Sequence, residues 1–287
     1  MSFVVFADGT ANLPKQLLGG ISLIPLDYTV NGRAKRYRGD IDSFDGHAFY
    51  EGLRSGSAVS TTLINMHQFL SYFAPILEQG RDVIYVCMSS AISGTFNAVR
   101  NAAAELMEQY SGRFIHVVDS LGCGFGNGIL AIRAAELCRQ GVDVKDAAAI
   151  LDAQVPHTCQ YFTVDDLNFL KKTGRVSGIT AKIATVLDIK PILYGDETGH
   201  IVSCAKVRGR KQSIAALAKK YDEKRVRSGA QEVFISHGNC LRDAETLSAL
   251  IREITPDVPI TICQHEPVSG SHVGPGMLGL FFNGTER

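Results

Sequence analysis

The amino-acid sequence predicts an α/β protein built from two domains, and three observations support this fold class. Up to about Ile150, buried strand patterns alternate with amphipathic helix patterns, as in a domain with a mainly parallel sheet. Residues 189–202 instead have the pattern of a β-hairpin, and the last third alternates again. We therefore predict an N-terminal α/β domain at residues 1–154 and a C-terminal α+β domain with a mixed sheet at residues 155–287.

Composition limits the classes of function. Of the 287 residues 45% are apolar, which is enough for a substantial core. The 29 lysines and arginines balance 29 acidic residues without a dense basic block, so we expect neither a nucleic acid nor an anionic membrane as partner. The seven cysteines are well separated and form no C-x-x-C pair. This disfavours disulfides and a metal site, and it is typical of reduced thiols in a cytoplasmic protein.

Two further patterns argue against export and membrane insertion. The N-terminal segment MSFVVFADGT has no basic region and reaches an aspartate after a short apolar run, so we expect a first strand and not a signal peptide. The longest stretch without charges, residues 55–77, contains many Ser, Thr, Asn, His and Gln residues. We therefore expect no stable insertion into a membrane.

Short patterns predict the elements of the first domain. Runs of β-branched and aromatic residues indicate strands, and apolar residues at spacings of three and four indicate helices. Asn31-Gly32 marks a hairpin turn, and Pro75 should kink or weaken the last turn of its helix. The predicted strands cover residues 2–7, 21–30, 33–38, 83–88 and 114–118, and the predicted helices cover residues 44–53, 66–77, 96–110 and a stretch that ends at Gln140.

Turn residues delimit the elements of the second domain. Gly174 ends a helix within DDLNFLKKTGRVSG, and Gly199 turns a hairpin. The segment GSHVGPG near the end indicates a glycine-rich turn that contains His272. The predicted strands cover residues 162–164, 189–194, 200–202, 232–236 and 260–263, and the predicted helices cover residues 212–220 and 243–254.

A candidate anion site lies between a strand and a helix at residues 89–95, SSAISGT. An apolar strand stops there at hydroxyls and a glycine, and a helical pattern follows. In an α/β fold such a turn lies at the carboxyl end of a strand, where ligands bind, and the next helix points free N–H groups at it. The alternative is that Ser93 only caps the helix.

Four segments at predicted strand ends or turns contain no charged side chain, namely residues 55–77, 83–99, 120–132 and 267–285. Apolar walls with scattered hydroxyls and glycines suit a largely hydrophobic ligand whose polar end meets a few hydroxyl, N–H or histidine groups. His272 stands out because it lies among glycines, where backbone can approach a ligand closely. The alternative is that these are ordinary buried segments.

Other chemistries fit the sequence less well. The glycines of residues 122–128 resemble a dinucleotide fingerprint, but the third glycine of G-x-G-x-x-G falls on Asn127 or Ile129, so they more simply let the backbone approach another segment. Ser93 lacks the flanking glycines of G-x-S-x-G, and no metal-ligand motif is present. A stand-alone serine-dependent acyl hydrolase that uses Ser93 and His272 stays open as an alternative, as does a dinucleotide enzyme.

A series of distinct short motifs, each present once, extends along nearly the whole chain. The first half contains FADGTANLP, VSTTLIN, SSAISGTFNA and VVDS, and the second half contains FTVDDLNFLKKTGRVS, LDIKPIL, GHIVSCAKVRGRKQSI and GSHVGPGMLGLFF. In this order they resemble the motifs of the DegV family of fatty-acid-binding proteins. The opening motif departs from the family pattern at Gly9 and Asn12, which weakens a polar role for that loop.

The resemblance implies two α/β domains with a long-chain fatty acid buried between them and no cofactor. It implies a lipid-binding subunit, not a complete enzyme, which presents the carboxylate to a separate ATP-dependent fatty acid kinase that forms an acyl phosphate. At matching positions, the carboxylate ligands would be Thr61, Thr62, Ser93, Gly94 and His272. Arg175 and Arg208 would contact the kinase.

The charge pattern bears on how a carboxylate is held. The segments that contain these ligands have no Lys or Arg. We therefore expect hydroxyls, N–H groups at a helix N-terminus and a protonated His272 to stabilise the carboxylate through charge-assisted hydrogen bonds.

Overall fold

The computed structural model describes residues 3–176, 188–229 and 231–287. The chain divides into two compact units, Met1–Asp42 with Ser60–Val155 and Ser43–Val59 with Pro156–Arg287. A parallel sheet in the first unit and a mixed sheet in the second confirm the predicted fold class. The domain boundary between residues 154 and 155 stays a prediction. Three predicted segments lie partly outside the described residues. These are the first predicted strand at Ser2, DDLNFLKKTGRVSG at residues 177–178 and LDIKPIL at Leu187.

The elements up to residue 154 are as follows: β1 (Phe3–Asp8), β2 (Ile21–Ile24), β3 (Leu26–Val30), β4 (Arg33–Tyr37), α1 (Gly46–Arg54), β5 (Val59–Thr61), α2 (Met66–Glu78), β6 (Asp82–Cys87), α3 (Thr95–Gln109), β7 (Ile115–Asp119), α4 (Phe125–Arg139) and α5 (Val144–Gln154). The later elements are β8 (Thr158–Thr163), α6 (Asn168–Thr173), β9 (Ile189–Gly195), β10 (Ile201–Arg208), α7 (Arg210–Lys224), β11 (Val233–His237), α8 (Leu241–Ile254), β12 (Ile260–Gln264), α9 (Pro267–Val273) and β13 (Leu278–Asn283).

The first unit is built on a four-stranded sheet in the order β2-β1-β6-β7, with all three pairings parallel. Helices α2 to α5 pack against this sheet, as a parallel sheet requires for its burial. Aromatic rings fill the contact with α2, since Phe69 and Phe73 lie 5.1 and 5.9 Å from the ring of Tyr85. The carboxyl ends of β1, β6 and β7 therefore meet at one edge of the sheet.

Two proline positions refine the predicted elements. The run predicted at residues 21–30 is two strands, because Pro25 lacks a backbone N–H and separates β2 from β3. β3 pairs with β4 and β5 in a separate three-stranded sheet, and the predicted hairpin turn is confirmed, with φ of 50° at Asn31 and 76° at Gly32. Helix α2 continues past Pro75 to Glu78, so this proline does not end it.

The second unit contains a six-stranded mixed sheet in the order β10-β9-β8-β13-β11-β12. β11 and β12 are parallel, and the predicted hairpin of β9 and β10 is antiparallel. The predicted glycine-rich turn is present only at Pro275 and Gly276, after His272. Pro267 starts α9, which Glu266 caps through its carboxylate, so His272 lies in a helix that ends at Val273. β13 lies between β8 and β11, which explains its apolar sequence.

Candidate anion-binding site

The turn after β6 follows the predicted pattern of a strand that leads into a helix. The backbone N–H groups of Ile92 and Ser93 both donate to the Ser89 carbonyl at 3.2 Å. The chain then enters α3, a helix of 15 residues whose N-terminal residue follows Gly94. The first turn of a helix leaves N–H groups without an intrahelical acceptor, and the helix dipole is positive there. The turn therefore presents anion-binding groups at the carboxyl edge of the parallel sheet.

Two carboxylates from the neighbouring strands hold this turn in place. Asp8, the last residue of β1, accepts the backbone N–H of Met88 at 2.8 Å. Asp119, the last residue of β7, accepts the N–H of Ser90 at 3.1 Å and that of Leu121 at 3.2 Å. Both strands flank β6, so the turn is fixed from both sides.

Asp8 is completely buried, and burial raises the pKa of its carboxyl. Hydrogen bonds oppose this rise, from the side chain and N–H of Thr10, from Met88 and from the Asn127 amide at 3.2 Å. Asp8 was not among the predicted site residues, since the departures at Gly9 and Asn12 predicted only a weak polar role for the opening loop. The available signal was that an aspartate directly follows each of two predicted strands, residues 2–7 and 114–118, at the ligand-binding edge.

Ser93 and Gly94 lie at the start of α3, as predicted. The Ser93 hydroxyl accepts the N–H of Thr95 at 3.2 Å and donates to the Thr95 hydroxyl at 3.0 Å. The alternative role for Ser93, as a local cap, therefore has a structural basis. Gly94 is exposed, and a Cβ at its position would lie 3.3 Å from a methyl group of Leu63.

The segment that follows β5 is thus next to the turn. Thr61 ends β5 and is half-buried. Thr62 donates its N–H and its hydroxyl to the carbonyl of Asp27 in β3, at 3.1 and 2.9 Å. Leu63 is 50% exposed, although it is a large apolar side chain. The first unit therefore brings Thr61, Thr62, Ser93 and Gly94 to one neighbourhood, with an exposed leucine among them.

His272 lies in the last turn of α9 in the second unit and is half-buried. Burial, and to a smaller extent the positive charge of Arg175, lower the pKa of His272 to about 4. The imidazole is therefore neutral at pH 7 in this environment. The expectation that His272 is protonated beside a bound carboxylate stays a prediction. A neutral imidazole still provides one N–H donor and one acceptor.

The two arginines predicted to contact a kinase have different environments. Arg175 follows Gly174, which ends α6 in the left-handed conformation with φ of 67°, and its guanidinium donates to the Thr173 carbonyl. Arg175 is half-buried and lies close enough to His272 to repel a second positive charge. Arg208 is the last residue of β10 and not part of a turn, and it is exposed.

The segments without charges are explained mostly by burial within each unit. Residues 83–88 and 125–131 are buried in the first unit, and residues 273–282 are buried in the second. Gly128 has the close backbone approach expected of these glycines, since a Cβ there would lie 2.5 Å from the Ala11 carbonyl oxygen. Residues 55–77 are the exception, because most of them are not buried and the large side chains of Leu63 and Tyr72 are 50% and 36% exposed.

The described residues offer little support for other kinds of site. A shallow cleft of the second unit is lined by four charged residues, Arg54, Asp165, Asp166 and Lys172, and does not suit an acyl chain. No group of three or more His, Cys, Asp or Glu residues in the described ranges could hold a metal ion. No helix in the same ranges is long and apolar enough to cross a bilayer.

This arrangement defines a two-unit α/β protein with a candidate anion-binding turn at the carboxyl edge of its parallel sheet. The chain belongs to the DegV family, because the family model described as "uncharacterised protein, DegV family" matches residues 2–284. A DegV domain-containing protein of Clostridium perfringens is 37% identical over 286 residues, which cover 99% of this chain and 98% of that protein.

Solved structures of the family have the same fold. DegV of Bacillus subtilis, described as a fatty acid binding protein, has a TM-score of 0.84 and 28% identity over 99% of this chain and 100% of that chain. A DegV family protein of Ruminococcus gnavus has a TM-score of 0.87 and 21% identity over 98% of this chain and 99% of that chain.

The environment of His272 leads to a prediction. Arg175→Gln should raise the pKa of His272, because it removes a positive charge that disfavours the imidazolium ion. The pKa should stay below 6.5, because burial is the larger cause of the shift. NMR titration of the imidazole resonances measures the change.

The same variant should alter stability in a defined pH window. With a pKa of about 4 in the folded state against 6.5, His272 makes the protein lose stability as the pH falls between these values. The variant should lose less over that window. Arg208→Gln is the control, since Arg208 does not contribute to the shift. An unaltered His272 pKa in Arg175→Gln would show that the charge of Arg175 does not lower the pKa of His272.

Proposed function

We propose that this chain binds a long-chain fatty acid and presents its carboxylate to a separate ATP-dependent kinase, which forms an acyl phosphate. The observation that supports fatty-acid binding most directly is the fixed turn at residues 89–94, where N–H groups and hydroxyls meet the exposed Leu63. The family relation supports it further, since the Bacillus subtilis relative is described as a fatty acid binding protein. We propose a cytoplasmic location from the well-separated free cysteines.

The proposed head-group ligands act without a cation in direct contact. In the first unit, the Gly94 amide and the hydroxyls of Ser93, Thr61 and Thr62 donate to the carboxylate. Ser93 can do so by rotating its hydroxyl proton away from Thr95. His272 is the proposed ligand from the second unit, where its neutral imidazole donates one N–H. A bound carboxylate would also favour protonation of His272, because an opposite charge stabilises the imidazolium ion.

The acyl chain provides most of the affinity in this proposal. Each buried methylene contributes about 0.8 kcal/mol, and association costs about 5 kcal/mol or more. A long chain therefore binds tightly even when each head-group hydrogen bond contributes little. This explains why hydroxyls, an amide and a neutral imidazole would suffice to hold the head group without a direct cation.

Arg175 and Arg208 are the proposed contacts for the kinase. A planar guanidinium suits a bidentate grip on a carboxylate or phosphate of a partner. Arg208 is exposed, and its side chain makes no ion pair with the residues that the structure describes. Arg175 is half-buried next to His272, so its charge also acts near the proposed head group.

The first test of this proposal is ligand content. Protein produced in bacteria should copurify with a long-chain fatty acid, at roughly one molecule per chain, and mass spectrometry of a denaturing extract measures this. The purified protein should release no nitrophenolate from a p-nitrophenyl acyl ester, whereas the hydrolase alternative with Ser93 and His272 requires release. An extract without lipid, together with no uptake of added oleate or palmitate, contradicts the proposal.

Ser93→Ala separates head-group binding from helix capping. Loss of a charge-assisted hydrogen bond should weaken fatty-acid binding by about 1.5 to 3 kcal/mol. A plain cap would instead cost about 1 kcal/mol of stability and no affinity. Ser90→Ala is the matched control, because Ser90 is an exposed serine of the same turn. Unchanged affinity with a lower melting temperature would leave Ser93 with the capping role only.

Arg175→Ala and Arg208→Ala test the kinase contact. Both variants should bind fatty acid normally but slow acyl phosphate formation at limiting kinase, and the defect should shrink as the kinase concentration rises. A coupled kinase assay and a binding titration on the same samples measure both effects. Arg242→Ala, which removes another exposed arginine of the second unit, is the control. Wild-type rates of acyl phosphate formation at limiting kinase would refute the contact. Weakened fatty-acid binding would instead indicate that the affected arginine is part of the fatty-acid site.

A further inference from the structure

The β3–β4 hairpin of the first unit is an exposed and strongly basic surface. It contains Arg33, Lys35, Arg36 and Arg38 and one acid, Asp27, which gives residues 26–38 a net charge of +3. Residues 31–36 and Arg38 are exposed. β4 is the outer strand of its three-stranded sheet, so these side chains project from an edge.

The cations of the hairpin differ from the others of the first unit. Within the described residues, each other lysine or arginine of this unit contacts a carboxylate, a backbone carbonyl or an aromatic ring; these are Lys15, Arg81, Arg100, Arg113, Arg133, Arg139 and Lys145. On the hairpin, Arg36 is bonded to Asp27 at 2.7 and 2.8 Å. Arg33, Lys35 and Arg38 have no such contact with the described residues.

Neighbouring acids do not neutralise these three cations. Asp40 and Asp42 follow the hairpin in sequence, but both contact Lys15, Asp40 through an ion pair at 3.3 Å and Asp42 through the backbone N–H at 2.7 Å. The strand register puts Arg33 opposite Val30 and Lys35 opposite Tyr28, on one face, and Arg36 opposite Asp27 on the other. Of the positive charges of the first unit, those without a contact to a carboxylate, a backbone carbonyl or an aromatic ring of the described residues therefore lie on the β3–β4 hairpin.

We propose that this hairpin docks the protein on a lipid bilayer that carries anionic headgroups. The expectation that no anionic membrane is a partner came from the overall charge balance, which does not reveal a local cluster of cations on one hairpin. Three exposed basic side chains without an ion pair to the described residues suit a fluid layer of phosphates, which adapts to them. An acidic protein partner would instead need a shaped surface. Half-buried Tyr28 and Val30 lie on the same face as Arg33 and Lys35, and an aromatic ring beside cations suits a membrane interface. The inference rests on the proposed function, because a long-chain fatty acid partitions into bilayers and must be collected there.

Protection of the sheet edge is the competing explanation. Charged side chains on an outer strand prevent pairing with another chain, and lysine is typical of such edges. Protection requires charge of either sign, whereas docking on anionic lipid requires positive charge. Substitution by glutamate therefore keeps the edge protected and removes only the docking charge.

The test compares vesicle binding and fatty-acid uptake. The triple variant Arg33→Glu, Lys35→Glu, Arg38→Glu and the wild type are sedimented with vesicles of phosphatidylcholine alone or of phosphatidylcholine and phosphatidylglycerol in equal parts. At low salt, the wild type should bind the anionic vesicles, and the variant should bind them on the order of 100-fold more weakly. Added salt should remove the difference. Uptake of oleate from anionic vesicles should slow in the variant, while uptake from albumin should not change.

A matched control reverses the same number of exposed cations elsewhere, by Lys211→Glu, Arg242→Glu and Arg252→Glu in the second unit. Vesicle binding by this control should stay within about twofold of wild type. Wild-type binding by the hairpin variant, or an equal loss in the control, overturns the proposal. A hairpin variant that slows acyl phosphate formation without vesicles also overturns it, in favour of a protein partner. Failure of the wild type to take up oleate from albumin refutes the proposed function. The docking proposal is still tested in that case, because sedimentation measures binding to anionic vesicles independently of fatty-acid uptake.

Discussion

The hydrogen bond between the buried Asp8 carboxylate and the Met88 N–H is the interaction on which the candidate site depends. A carboxylate without solvent is costly unless several donors surround it, and Asp8 has donors from Thr10, Met88 and Asn127. These donors come from the loop after β1, the end of β6 and the first turn of α4. Asp8 thus joins three segments that are distant in sequence, and the turn at residues 89–94 begins at one of them.

Asp119 completes this arrangement from the other side. It accepts N–H groups of Ser90 and Leu121, while the Ser89 N–H donates to the Gly122 carbonyl at 2.7 Å. The loop after β6 and the loop after β7 are therefore joined by hydrogen bonds of backbone groups and a carboxylate. These bonds do not use the Ser93 side chain or the Gly94 amide. A binding turn whose frame is fixed by other groups keeps its own donors available for a ligand.

The sequence predicted the elements whose patterns are local, and it missed what depends on distant partners. The parallel sheet, the hairpin at Asn31-Gly32 and the end of α6 at Gly174 follow from periodicity and turn residues. The glycines around His272 predicted a turn because glycine disfavours a helix, whereas the Glu266 carboxylate caps a helix there. The protonation state of His272 could not be predicted for a similar reason. Its pKa depends on burial and on Arg175, which is 97 positions away in sequence and close in space.

The role proposed for Asp8 was missed because a single aspartate at a strand end has no periodic signal. Its importance appears only when the register of β1 and β6 pairs Ala7 with Val86, which brings the next residues of both strands together. The absence of charges did not identify the walls of a ligand site specifically, because burial within each unit accounts for most of the charge-free segments. Leu63 could not be distinguished from buried leucines by sequence, because its exposure depends on the packing of β5.

A neutral head-group site has a consequence for the proposed transfer of a phosphoryl group. The carboxylate oxygen must attack the phosphorus atom, so its lone pairs must stay accessible. A bidentate arginine would occupy both oxygens and stabilise the ground state as much as the transition state, which does not increase the rate. In the proposed site, hydroxyls, an amide and a neutral imidazole would hold the group with individually weaker bonds, and the buried acyl chain would supply the affinity instead. Arg175, whose charge reaches His272 while its guanidinium is bonded to the Thr173 carbonyl, lies where it could stabilise negative charge that a kinase brings to this site.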